Sequence, residues 1–163
     1  MSSGDTLIIF TPLSNEPPSS NYATLGLRNL HPILQFDTTT QEAAIWTGIC
    51  PRSYSGGGIT VYVHWDAATA TSGTIGWDVA FEYMSDGSTD MDSDSFASAQ
   101  TIVAATVPGT SGIITITNVA ISNGANIDNL AVGGSFRIRV RRDVSNDTAT
   151  GDANLYAVEL KET

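Results

Sequence analysis

Three stretches of this chain alternate strictly between apolar and polar residues. In ITVYVHWD, Ile59, Val61, Val63 and Trp65 hold one parity, and Thr60, Tyr62, His64 and Asp66 the other. In TIGWDVAFEYM, Ile75, Trp77, Val79, Phe81 and Tyr83 oppose Gly76, Asp78, Ala80 and Glu82. In SFRIRVRRD, Phe136, Ile138 and Val140 oppose Arg137, Arg139 and Arg141. A period of two marks a strand that rests one face on a core; a helix repeats near 3.6 and cannot use it. Five further runs, 33–36, 43–49, 99–107, 113–121 and 153–161, carry strand-forming residues between clusters of Gly, Pro, Asp, Asn and Ser. Together with 58–66, 74–84 and 135–142 they predict an all-β chain: a single-domain, jelly-roll-like β-sandwich of about eight strands. The segment 65–78 reads as a hairpin, with Gly73 near its turn.

Residues 1–32 read as an extended N-terminal arm and residues 33–163 as the sandwich. Pro12, Pro17, Pro18 and Pro32 each remove a backbone donor from the arm. Its apolar clusters, Leu7-Ile8-Ile9-Phe10 and Leu25/Leu27/Leu30, argue that the arm docks on the domain or on a neighbouring subunit.

Charge narrows the partners. Seven basic residues face seventeen acidic ones, a net charge of −10, so a nucleic acid or an anionic membrane is excluded as a partner. The single cysteine, Cys50, permits no internal disulfide and is expected in the core. The first residues lack the basic start and apolar run of a signal peptide, which predicts synthesis and use in a reducing cytoplasm.

Chemistry-bearing motifs are scarce. The acidic stretch DGSTDMDSDSF alternates Asp90, Asp92 and Asp94 as calcium loops do, yet an EF-hand would need Gly where Ser95 stands and Glu where Thr101 stands. An acidic turn, ending where Phe96 anchors to the core, is the favoured reading; a calcium site built from Asp86, Asp90, Asp92 and Asp94 is the alternative. Arg137, Arg139 and Arg141 line one face of a strand over about 13 Å. They form either a cross-strand charge ladder, with Glu82 and Glu159 as candidate partners, or a docking face for a partner's carboxylates. His31 and His64 have no second ligand at metal spacing, and Tyr54 and Tyr62 are candidate exposed rings. The glycines of SYSGGG are not followed by the Gly-Lys-Ser/Thr of a phosphate loop, and no GxSxG or HExxH is present. The expectation is a protein without enzymatic activity and without a cofactor.

The stretches LRNLHPILQFD, PRSYSGGGITVYVHW, ATSGTIGWDVAFE, DSDSFASA, FRIRVRRD and TGDANLYAVEL together resemble short β-rich structural proteins of tailed bacteriophages, with the capsid decoration (cement) protein as the nearest functional type. That resemblance implies a homotrimer on the virion surface, assembled in the host cytoplasm and clamping the major capsid protein. Leu7, Ile8, Ile9 and Phe10 of the arm, and the arginine face, would then make the contacts. The alternative reading is a receptor- or glycan-binding module of a phage head or tail fibre.

Overall fold

A computed structural model describes residues 4–163. Among the described residues, ten strands form two antiparallel sheets packed face to face. The first sheet runs in the order β2 (Thr24–Arg28), β3 (His31–Phe36), β10 (Ala153–Glu162), β5 (Ile59–Ala67), β8 (Thr115–Ile121), with β1 (Thr6–Phe10) also paired to β10. The second runs β4 (Ala43–Ile49), β9 (Ser135–Arg142), β6 (Thr74–Met84), β7 (Gln100–Thr106). Every strand read from the alternation is present, so the chain is the all-β sandwich that its periodicity predicts.

The inward parities fill the space between the sheets. Trp46, Trp65, Trp77, Phe36, Phe81 and Phe136 are all fully or almost fully buried. Phe36 meets Trp77 edge-on at 5.0 Å, and Trp77 lies 6.3 Å from Trp65. At the other end Phe136 lies 6.0 Å from Phe81 and 6.4 Å from Phe10, which stacks on Trp46 at 6.0 Å. A bulge between Leu155 and Ala157 reverses the parity of β10, so that Leu155, Val158 and Leu160 all point inward although no strict alternation joins them.

The expected arm is different in the structure. Its first three residues lie outside the described residues; two stretches of the rest are built into the first sheet as β1 and β2. Phe10 is a core residue, Leu7 and Ile8 pack against the core, and only Ile9 of that cluster stands exposed. Their side chains are thus largely committed within the chain rather than held out to a neighbour. The prolines permit this because Pro12 opens a 3₁₀ turn and Pro17 and Pro18 lie in the β1–β2 connection. Pro32 falls where β3 has left β10 and pairs only with β2, so its missing donor costs no ladder bond on the other side.

One buried cation ties the far end of the sandwich together. Arg142 is fully buried at the end of β9. Its Nε donates to Asp147 at 2.6 Å, Nη1 to the carbonyls of Gly151 at 2.7 Å and Phe36 at 3.4 Å, and Nη2 to the Ala149 carbonyl at 3.0 Å. The β9–β10 loop therefore folds around a guanidinium that it hydrates in place of water. Removing one member of a buried pair leaves the other charge unsatisfied, so Arg142→Met should lower unfolding free energy by about 3–5 kcal/mol. Urea denaturation monitored by tryptophan fluorescence would read this loss; a change under about 1 kcal/mol would contradict it.

Candidate functional site

The β2–β3 hairpin turns over two residues in left-handed conformation, Asn29 (φ 45°) and Leu30 (φ 66°). Such a turn matches the twist of the strands, but a leucine there is strained by about 1–2 kcal/mol. Leu30 is nevertheless 87% exposed, so core packing does not account for it. The strand end beside the tip is tied down. Arg28 Nη1 donates to Asp66 at 3.1 Å and to the carbonyls of Ala67 and Ala68 at 3.2 Å each, which lays the tip across the end of β5.

Asp66 was expected on a solvent-facing parity, and it does face away from the core. The hairpin tip and β10 cover it completely. Its carboxylate accepts from Arg28, from Asn154 Nδ2 at 2.7 Å and from Tyr156 Oη at 2.6 Å. Tyr156 is the bulged residue of β10, and the bulge aims it to the outer face. Burial, then the hydrogen bond to the Asp66 carboxylate, pushes the Tyr156 phenol up to about 12. Gly112 closes the far side: it holds φ 81°, and a Cβ there would stand 2.6 Å from Arg28 Nη2.

Around this network lies a cleft of about 420 Å³, lined by Arg28, Asn29, His31, Ser111, Ile114 and Tyr156. A second hollow of about 290 Å³ begins on the other side of His31 and Tyr156 and runs to Pro12 and Leu13. A third adjoins it there and carries Tyr22 and Leu25. The result is a groove with one half-buried ring at its centre, apolar flanks, and imidazole, amide, hydroxyl and guanidinium groups above it. Such a groove can hold an elongated ligand that has apolar faces and hydroxyl edges. Among the described residues that line it there is no carboxylate, and Asp66 beneath it is already occupied by three donors.

The residues singled out from sequence fall elsewhere. Arg137 pairs with Glu82 at 3.0 Å, and Arg141 grips Asp78 through two bonds of 2.9 Å. These pairs are a cross-strand ladder on the outer face of the second sheet. Glu159 cannot join it, since it lies on the first sheet and accepts from the Thr6 hydroxyl. Phe96 anchors not in the core but over this ladder, with its ring 5.3 Å from the Arg137 guanidinium and 4.8 Å from that of Arg139. In the acidic loop, Asp90 serves the turn: its side chain accepts from the Asp92 amide at 3.1 Å and its carbonyl from the Asp94 amide at 2.9 Å. Among the described residues no group of three or more His, Cys, Asp or Glu stands where it could hold a metal ion. Tyr54 is buried, not exposed: its hydroxyl accepts the Gly58 amide at 3.1 Å and donates to Asn123 at 3.2 Å. Tyr62 is half-buried under Lys161. His64 is half-buried on the outer face, while His31 joins the groove. Cys50 is buried as expected, and burial, with the nearby Glu162 charge, raises its thiol to about 11. Arg28, Asn29, Ser111 and Tyr156 escaped sequence reading, because a tip folded back over its own sheet leaves no periodic trace.

No protein-family model matches the chain, and no curated protein does. Solved structures do share its fold. A xylan-binding domain, CBM22-2 of Xyn10C from Paenibacillus barcinonensis, matches with TM-score 0.52 and 12% identity over 92% of both chains. The family 30 carbohydrate-binding module of the cellulosomal cellulase Cel9D-Cel44B from Clostridium thermocellum matches with TM-score 0.52 and 6% identity, over 99% of this chain and 95% of that one. The CBM22-1–GH10 modules of xylanase 10B from Clostridium thermocellum, solved with xylohexaose, match with TM-score 0.51 and 13% identity over 98% of this chain and 29% of that one. These identities carry the jelly-roll sandwich and nothing finer. The structural neighbours reported are carbohydrate-binding modules rather than the capsid decoration proteins that the sequence resemblance brought forward.

A titration follows from the Tyr156–Asp66 bond. Because the folded phenol titrates near 12 and the free one near 10, the bond stabilises the fold fully below pH 10 and is lost as pH rises through 12. Tyr156→Phe should therefore flatten the decline of melting temperature between pH 10 and 12. At pH 7 it should cost about 1–3 kcal/mol, because Asp66 loses a donor. A wild-type slope unchanged in the variant would contradict the bond.

Proposed function

We propose that this chain is a non-catalytic glycan-binding module and that the groove beside Tyr156 holds a neutral oligosaccharide. The observation that carries the reading is the pre-organised groove itself. Asp66 fixes Arg28 and Tyr156 before any ligand arrives, so little ordering cost is left for binding. A pyranose presents C–H groups on its faces and hydroxyls around its rim; Tyr156, Pro12 and Leu13 suit the first, and Asn29, His31 and Ser111 the second. The Arg28 charge is balanced by Asp66, which favours an uncharged ligand. The shared sandwich of the xylan-binding and family 30 modules supports the reading as an analogy of fold. It favours the glycan-binding alternative over a capsid cement role.

A second reading keeps a docking role on a larger assembly, such as a homotrimer clamped to a major capsid protein. The exposed apolar residues Leu13, Tyr22, Leu25, Leu27 and Leu30 favour it. It moves the contact from Leu7–Phe10 to the β2 edge.

Isothermal titration with xylohexaose and cellohexaose tests the first reading. Saturable binding of at least one is expected, weakened several-fold in His31→Ala with at most a small fall in melting, since His31 is exposed and its one hydrogen bond among the described residues is from Nδ1 to the Arg28 carbonyl at 3.2 Å. Absence of heat with both hexaoses at millimolar concentration would contradict it.

A further inference from the structure

The outer face of the second sheet holds an unbalanced charge. Across β9 and β6 the cross-strand pairs read Arg137 with Glu82, Arg139 with Ala80, and Arg141 with Asp78. On the other side β4 sets Ile45 against Arg139. The sequence thus supplies a carboxylate to each outer arginine and an apolar wall to the middle one. Three guanidiniums against two carboxylates leave one positive charge, and it sits at the centre. Arg139 makes no ion pair, and its Nε is buried without a partner. Nε alone of its three nitrogens is both buried and unpartnered, which leaves the Nη pair as the end that a ligand meets. Phe96 covers one face of the guanidinium, while Ile45 and Ala80 are buried beside it. Burial, then the Arg141 charge, lowers its pKa from the ordinary arginine value.

We propose that Arg139 is a receptor for a single carboxylate, held end-on by its two Nη atoms, and that the carboxylate belongs to a uronate carried on an otherwise neutral glycan. The planar fork of arginine matches a carboxylate, and the half-buried Phe96 ring offers contact to the sugar that bears it. The charge count sets the class further. One unpaired positive charge on this face, in a chain of net charge −10, accepts one carboxylate and repels a polyanion. The glycan identity rests on the reading proposed above, but the site is a different face of the sandwich, remote from Tyr156 and His31. An acidic peptide would supply the same carboxylate and is separated by the experiment.

The test is titration of the full chain with an aldotetrauronic acid, three xyloses bearing one glucuronate, beside neutral xylotetraose and a short glutamate peptide. The acid should bind at least ten-fold more tightly than the neutral tetraose. Arg139→Gln should abolish that difference and leave the neutral ligand unchanged. Arg139→Lys, which keeps the charge and loses the fork, should retain only part of it. His31→Ala should leave the preference for the acid intact, so a failure of the groove and a failure of this site read out separately. Because wild-type Arg139 has no ion pair to lose and only the Phe96 ring against it, Arg139→Gln should lower the melting temperature only slightly. Equal binding of acid and neutral tetraose, or an acid preference that survives Arg139→Gln, would overturn the site. Binding of the glutamate peptide as tight as that of the acid would overturn its assignment to a glycan.

Discussion

A carboxylate with no access to water decides the shape of the functional surface. Asp66 stands on the outer parity of β5, where a solvated residue belongs. A buried carboxylate survives only with donors around it, and Asp66 recruits three from three directions: Arg28 from the hairpin tip, Asn154 and Tyr156 from β10. Each bond fixes something else. Arg28 brings down the β2–β3 tip, Tyr156 uses the bulge that also resets the inward parity of β10, and the space left between them is the groove. Without Asp66 the hairpin would be held across its own sheet only by the Arg28 bonds to the Ala67 and Ala68 carbonyls, with less to offset the strained Leu30 at its tip.

The rest of the sandwich is a scaffold for two unlike faces. Its aromatic core and the Arg142 knot make a rigid block, and rigid blocks position loops and sheet faces with little ordering cost. On the first sheet the outer face is neutralised at its one buried charge and opens into a groove. On the second, the ladder Glu82–Arg137 and Asp78–Arg141 neutralises the ends of the arginine row and leaves its centre positive. The same β9 alternation that drives Phe136, Ile138 and Val140 into the core sets the three arginines out on that face.

Legibility followed periodicity. The eight alternating or β-rich runs located β3 through β10 because inward and outward residues differ in kind at every second position. β1 and β2 are hard to read for a physical reason: both are short and lie among prolines, TLIIF shows no polar parity, and TLGLR alternates but leaves its leucines, Leu25 and Leu27, exposed. The hairpin at Asn29-Leu30 lacks the Asn-Gly that normally marks such a turn, so its fold-back over Asp66 was invisible. Glu82 was found as an arginine partner by its parity; Glu159, equally acidic, was not excluded because sequence does not say which sheet a strand joins. Tyr54 reads as exposed beside three glycines, but its hydroxyl satisfies the Gly58 amide that the turn would otherwise strand. Phe96 ends the acidic loop as an anchor, though on the charged outer face and not in the core. The groove was the least legible feature, since its residues come from positions 28–31, 111–114 and 156 and meet only through tertiary contacts.

The most direct measurement is chemical-shift mapping of the isotope-labelled chain during titration with xylohexaose. The account predicts saturable shifts at Arg28, Asn29, His31, Ser111 and Tyr156, with Asn154 following through Asp66 and the outer face of β9 silent. Shifts spread evenly over the surface, or confined to the β4–β9–β6 face, would contradict it.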